Sequence, residues 1–146
     1  MNIIGPDTLV FGVDDLAASS QYLIDYGLRD AGNGRFDALD GTGIVLRHQD
    51  DASLPPSLGT ASMLRKTIYG VADVATVEAI AQELQSDREV RRLPDGAIEV
   101  EDDMGFTLGF QVTQRRTLNL PAETINAPGA PAQRAPNIVA VDDAAD

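Results

Sequence analysis

Few residues in this chain have chemistry to offer. Its 146 residues include one histidine, His48, and no cysteine. That removes a thiol nucleophile, a disulfide framework and a Cys-ligated zinc or iron–sulfur site. It also leaves too few imidazoles for a His-rich metal centre or a two-His facial triad. No Gly-x-Ser-x-Gly elbow and no Ser/His/Asp order suggests a hydrolase. The densest acidic run, Glu99, Glu101, Asp102 and Asp103, has the residue types of a calcium site or of an acid–base pair. However, Glu99 and Glu101 alternate with Ile98 and Val100, the pattern of the wet side of a half-buried strand, with Asp102 and Asp103 in the turn that follows. Gly41-x-Gly43 lacks the strand and helix around it that a phosphate loop needs, and reads as a turn. Asp14, Asp15 and Asp73 stand where helices are expected to begin and read as caps. Arg91-Arg92 and Arg115-Arg116 read as solvated pairs, free to meet an acidic partner or the acidic end of the chain.

The charge balance narrows the partners. With 23 acids against 11 bases the net charge is −12, so the chain is a poor match for nucleic acid, whose phosphates require a basic face, and for an anionic membrane surface. No apolar run approaches the roughly 20 residues of a membrane span, and Met1 to Pro6 carries neither the basic nor the long apolar part of a secretion signal. The expected compartment is the cytoplasm. At 43% hydrophobic and 23% charged, the chain has the composition of one ordinary domain with a single core.

The elements that must position any site come as a repeat. Phe11-Gly12-Val13-Asp14-Asp15-Leu16 returns as Tyr69-Gly70-Val71-Ala72-Asp73-Val74, with Val13 and Val71 58 residues apart. In each copy a period-2 strand (Leu9, Phe11, Val13; Thr67, Tyr69, Val71) runs into an aspartate and then a helix. The second helix carries Val74, Val77, Ile80, Ala81 and Leu84 at helical spacing; the first carries Leu16, Ser20, Leu23 and Ile24 before Gly27 as its C-cap. Extended segments follow: 34–40 and 43–49, joined by a turn over 40–43, and then 89–93, 97–101 and 106–113. In the last of these Phe106, Leu108, Phe110 and Val112 form an apolar row against Thr107, Gly109, Gln111 and Thr113. After Arg116 the composition shifts. Residues 117–136 hold four of the eight prolines and read as a linker or extended strap, or as a frayed terminus. Ile138 to Ala145 is either a third strand–Asp–helix opening cut short or an acidic tail.

Two tandem β-α-β-β-β units, each opening with strand–Val–x–Asp–helix, resemble the vicinal oxygen chelate superfamily, which includes glyoxalase I, bleomycin-resistance proteins and extradiol ring-cleaving dioxygenases. The resemblance covers about residues 5–114. It rests on Thr8 to Leu16, Tyr22 to Leu28, Lys66 to Asp73, and Asp103 to Phe110, which is similar to the family's Asp-Pro-x-Gly-x-x-x-Glu ending. It implies an α+β fold in which the paired units form a cupped mixed sheet with helices outside and a divalent metal in the cup. Carried over residue by residue, the metal positions fall on Thr8, Lys66 and Gly109, none of which ligates, so the expected metal and catalytic sets in this chain are empty. The expected cup lining is Thr8, Val10, Lys66, Ile68, Thr107, Gly109 and Gln111. His48 joins it if it falls at or near the fourth position, and otherwise is a solvated strand-end histidine beside Asp50 and Asp51.

This pattern is most like the N-terminal domain of a two-domain extradiol dioxygenase. The resemblance then implies a paired-module domain over 1–116, a linker or strap over 117–146, Fe(II) (less often Mn(II)) in the rest of the enzyme, and a small aromatic substrate. The partners implied are a second dioxygenase-like domain or another subunit, in a homo-oligomer. Two other readings stand beside it: a stand-alone metal-free binding protein of bleomycin-resistance type, whose ligand a charge of −12 would steer as a cation, and a glyoxalase-type lyase.

Overall fold

Alternating apolar residues that end in an aspartate build the same local structure twice. The computed structural model describes residues 2–59, 63–120, 124–125 and 132–133. The first unit is β1 (Ile3–Val13), α1 (Leu16–Asp25), β2 (Arg29–Gly32), β3 (Arg35–Asp37) and β4 (Gly43–His48); the second is β5 (Leu64–Val71), α2 (Val74–Leu84), β6 (Arg91–Arg92), β7 (Ile98–Glu101) and β8 (Thr107–Val112). Each helix starts on its expected cap. The Asp15 carboxylate accepts from the Ala18 amide, and that of Asp73 from the Thr76 amide, satisfying donors that a helix start leaves free. Gly27, at φ 100°, lets the chain leave α1 through a left-handed residue, with the Leu28 amide donating to the Leu23 carbonyl.

The strands form one eight-stranded mixed sheet in the order β2-β3-β4-β1-β5-β8-β7-β6, a palindrome of the two units. β1 and β5 meet antiparallel at the centre, and each lies parallel to the last strand of its own unit. This is the expected α+β architecture, a cupped sheet with both helices on its outer face. Two cores lie under the helices: Val71, Val77, Ile80, Ala81, Ile98, Val100 and Phe110 beneath α2, and Val13, Leu23, Phe36 and Leu46 beneath α1.

Several expectations shift. β2 carries no sequence signal, because all four of its residues are exposed and polar or small, with no alternation to detect. Val74 stands 66% exposed at the first turn of α2, ahead of the point where the helix reaches the sheet. Thr107 and Gly109 are buried while Val112 is exposed, since the middle of β8 is covered on both faces and its end on neither. Beyond β8, β9 (Thr124–Ile125) pairs antiparallel with β10 (Ala132–Gln133). The remaining residues after 120, including the segment 138–145, lie outside the described residues.

Candidate functional site

Alternation gives each central strand one row toward the helices and one toward the cup. Phe11, Val13, Ile44, Leu46, Tyr69, Val71, Leu108 and Phe110 belong to the helix-side cores. On the other face the register sets Thr8 and Val10 against Ile68 and Lys66. Lys66 and Ile68 then pair with Thr107 and Gly109, and these with Glu101 and Glu99. Gln111 follows beside Gly70.

His48 is not among them. It pairs with Val13 and follows Ile44 and Leu46, so it lies on the helix side at the exposed end of β4. There its Nδ1 accepts from the Asp50 amide at 3.3 Å and sits 3.6 Å from the Asp50 carboxylate. The expectation that His48 could join the cup is corrected by the parity of β4. The pseudo-repeat identifies the fourth position instead. Ile68, partner of Gly109, repeats Val10, whose partner on β4 is Val45.

The floor of the second unit is a charge cluster. The Lys66 ammonium donates to Glu99 Oε1 at 2.6 Å and an Arg91 guanidinium nitrogen to Glu99 Oε2 at 2.7 Å. Glu99 is 8% exposed, so it is not the wet side of β7 that its alternation suggests. Its row does face away from the helices, but the linker after β4 passes over Glu99, leaving Glu101 exposed. In the first unit Arg35 donates to Asp37 at 2.6 Å, to the Thr8 hydroxyl at 3.1 Å and to the Gly41 carbonyl at 3.0 Å. Sequence reasoning missed Arg91 as a partner of Glu99, and Arg35 and Asp37 altogether. Their only signal is shared parity along their strands, and parity does not say which strand lies alongside.

The two segments that leave the units close the ends of the cup in the same way. After β4 the Gln49 amide donates to the Val13 carbonyl, and after β8 the Thr113 amide to the Val71 carbonyl. Arg65, beside a register irregularity, reaches over Gly12 and donates to the Pro55 and Gln49 carbonyls at 3.0 and 3.2 Å. Asp7, 58 residues earlier, packs on Gly70 and accepts from the Thr113 hydroxyl, the Gln114 amide and Arg115 Nε at 3.1, 3.3 and 3.0 Å. Arg115 is therefore an anchor on a carboxylate that is 3% exposed, and not a solvated residue. The linker is turned by Asp51, whose carboxyl is held below its ordinary range by hydrogen bonds from the Ser53 hydroxyl and amide. The linker then passes over Lys66, Glu99 and Thr107, enclosing a cavity of about 210 Å³ with Ala52 to Pro56, Arg91 and Glu101.

These residues do not fit a divalent metal. The positions to which the resemblance carries metal ligands hold Thr8, Lys66 and Gly109, and the pseudo-repeat adds Val45. Lys66 presents a cation that repels another. Ile68 covers Gly109 so closely that an added Cβ would meet its Cγ1 at 3.2 Å. Among the described residues no group of three or more His, Asp or Glu side chains is placed to hold a metal, and no helix is long and apolar enough to cross a membrane.

No protein-family model and no curated protein sequence matches the chain. Solved structures do. A catechol 2,3-dioxygenase is similar at 17% identity and a TM-score of 0.58, over 77% of this chain and 40% of that one. An E323L mutant of homoprotocatechuate 2,3-dioxygenase from Brevibacterium fuscum is similar at 23% identity and a TM-score of 0.55, over 80% and 34%. An Mn(II)-bound glyoxalase from Novosphingobium aromaticivorans is similar at 18% identity and a TM-score of 0.56, over 80% and 42%. The chain thus spans well under half the length of the structures it matches, and the likeness is one of fold: that of the vicinal oxygen chelate proteins.

Proposed function

We propose, for a chain with the vicinal oxygen chelate fold, that it is the metal-free N-terminal domain of an extradiol, catechol-type aromatic ring-cleaving dioxygenase. In this reading the protein is a cytoplasmic homo-oligomer. Its Fe(II) and the acid, base and ligand groups that act on a small aromatic substrate belong to a second paired-module domain outside residues 1–146, and this half contributes packing surface. The observation that carries the reading is Lys66, fixed to Glu99 at 2.6 Å at the position to which the resemblance carries a metal ligand. It comes in a chain that matches two dioxygenases over only 34–40% of their length. A glyoxalase-type lyase would need ligands that Thr8, Lys66 and Gly109 do not supply. Fold likeness by itself is a weak guide to chemistry, so the test must be chemical.

The test is to read the coding sequence past the codon for Asp146, express the whole product, and measure its iron and its cleavage of catechols. A second paired-module domain with two histidines and a glutamate on its cup strands, about one iron per polypeptide, and no iron in residues 1–146 alone is the expected result. A stop codon directly after Asp146, or stoichiometric iron held by residues 1–146 alone, overturns the reading. The stop codon would leave the metal-free small-molecule-binding reading.

A further inference from the structure

The chain has about two acids for every base, yet the cavity under the linker is lined by as many bases, Lys66 and Arg91, as acids, Glu99 and Glu101. Arg47 and Arg65 stand outside that lining, close to the linker and Asp51. Among the described residues Arg65 bonds to backbone carbonyls. Arg47 does the same, with the Asn33 and Leu46 carbonyls, while its charge reaches Asp51. Lys66 and Arg91 share the single carboxylate of Glu99, one donor each. An ammonium has three donors and a guanidinium five, so most of theirs remain available beside the cavity. Glu101 sits exposed at its rim, where water screens it. The cavity roof is Ala52, Ser53, Leu54, Pro55 and Pro56, without a charge among them, and the Thr107 side chain lines the opposite wall.

We propose that this cleft binds a small organic anion with an apolar body, an aromatic carboxylate, its charge received by Lys66 and Arg91 and its ring laid against Leu54 and the two prolines. A guanidinium with free donors is suited to a carboxylate, since the two share a planar fork geometry. The low-dielectric floor strengthens the attraction relative to an open surface. The net charge of −12 favours cations at long range, but at the cleft itself the spare donors of Lys66 and Arg91 act at close quarters, while distant charges are screened beyond about 8–10 Å.

The test is a titration of the isotope-labelled full chain, followed by amide chemical shifts, with benzoate, with benzylammonium as the cation of similar size, and with Mn²⁺. Benzoate is expected to shift the amides of Ala52 to Leu54, Lys66 and Thr107 saturably, with a Kd on the order of 1 mM. Benzylammonium and Mn²⁺ are expected to leave those amides unmoved. Arg91→Gln, at a half-exposed side chain, keeps the Lys66–Glu99 pair and the fold, and is expected to weaken benzoate about tenfold, the loss of one charge-assisted contact. Lys66→Met is expected to abolish saturation, with its amide spectrum serving as the check on folding. Equal binding of benzylammonium, a response still linear at about ten times the expected Kd, or Arg91→Gln binding benzoate unchanged would overturn the proposal. The titration reads this chain alone, so its outcome is separate from whatever the coding sequence holds beyond Asp146.

Discussion

The two halves of the sheet begin from the same repeat and are consolidated differently. Under α2, Val77, Ile80 and Ala81 are buried and meet Ile98, Val100 and Phe110, with Tyr69 and Phe110 stacked at 5.7 Å. Under α1 the helix buries Leu23 alone, and Tyr22 and Tyr26 stack on each other in solvent at 6.2 Å. The cup side shows the same asymmetry, with a nearly buried Lys66–Glu99 pair in the second half against a more open Arg35–Asp37 pair in the first. A common backbone plan thus tolerates unequal cores, since the plan is set by strand and helix periodicity and the stability by how much apolar area each half removes from water.

Pairs of equivalent substitutions test that asymmetry. Ile98→Ala, at a residue with no exposed surface, should lower unfolding free energy by about 3–5 kcal/mol, and Leu23→Ala by about 2 kcal/mol. Urea midpoints would show it, and equal losses would mean that the first core is as tight as the second. Glu99→Gln leaves Lys66 in the covered floor without its carboxylate and should cost about 3 kcal/mol, whereas Asp37→Asn, in a more open pair, should cost about 1 kcal/mol or less. Calorimetry on the two variants would invert the assignment if Asp37→Asn lowered Tm more.

The two cup glycines give a smaller contrast. At Gly70 a Cβ would collide with the Asp7 carboxylate, which three donors hold in place, so Gly70→Ala should cost about 1–3 kcal/mol. At Gly12 it would meet the ends of Leu54 and Arg65 at 2.9 and 3.2 Å, flexible groups that can turn aside, and Gly12→Ala should be milder. Chemical denaturation in which the two variants match would show the two clamps to be equally rigid.

The smallest effect belongs to the cap. Hydrogen bonds from the Thr76 hydroxyl and amide hold the Asp73 carboxyl below its ordinary value. A carboxyl depressed in the folded state contributes stability that is present above the unfolded pKa and is lost as pH falls through the folded one. The gap in Tm between wild type and Asp73→Ala should therefore be full at pH 7 and shrink from about pH 4 downward. A gap that does not change with pH would mean that the aspartate caps α2 without its charge.

Much of the fold was legible in the residues, and the reasons are local. Strand alternation, an aspartate at each helix start and Gly27 at the end of α1 act within a few positions of one another, so the tandem units could be read without knowing what they pack against. β2 escaped because an exposed edge strand of Arg29, Asp30, Ala31 and Gly32 leaves no periodic trace. The expected cup positions Thr8, Lys66 and Gly109 came from spacing within single strands. The face of His48 follows from parity along β4, which it shares with Ile44 and Leu46. In sequence Arg115 looks solvated because its partner Asp7 lies 108 residues away.

What local sequence fixed was the type and order of the elements, and which residues of β1, β5 and β8 share the face away from the helices. Side-chain period and backbone capping are short-range, so they survive in any context. Assembly decided which groups meet. Glu99 is buried because β7 lies beside β8 and the linker crosses above them; Asp7 and Arg115 meet because the chain leaving β8 turns across β1. Those encounters depend on strand register and on segments brought together from distant parts of the chain, where Coulomb and packing energies act through space and sequence separation carries no information.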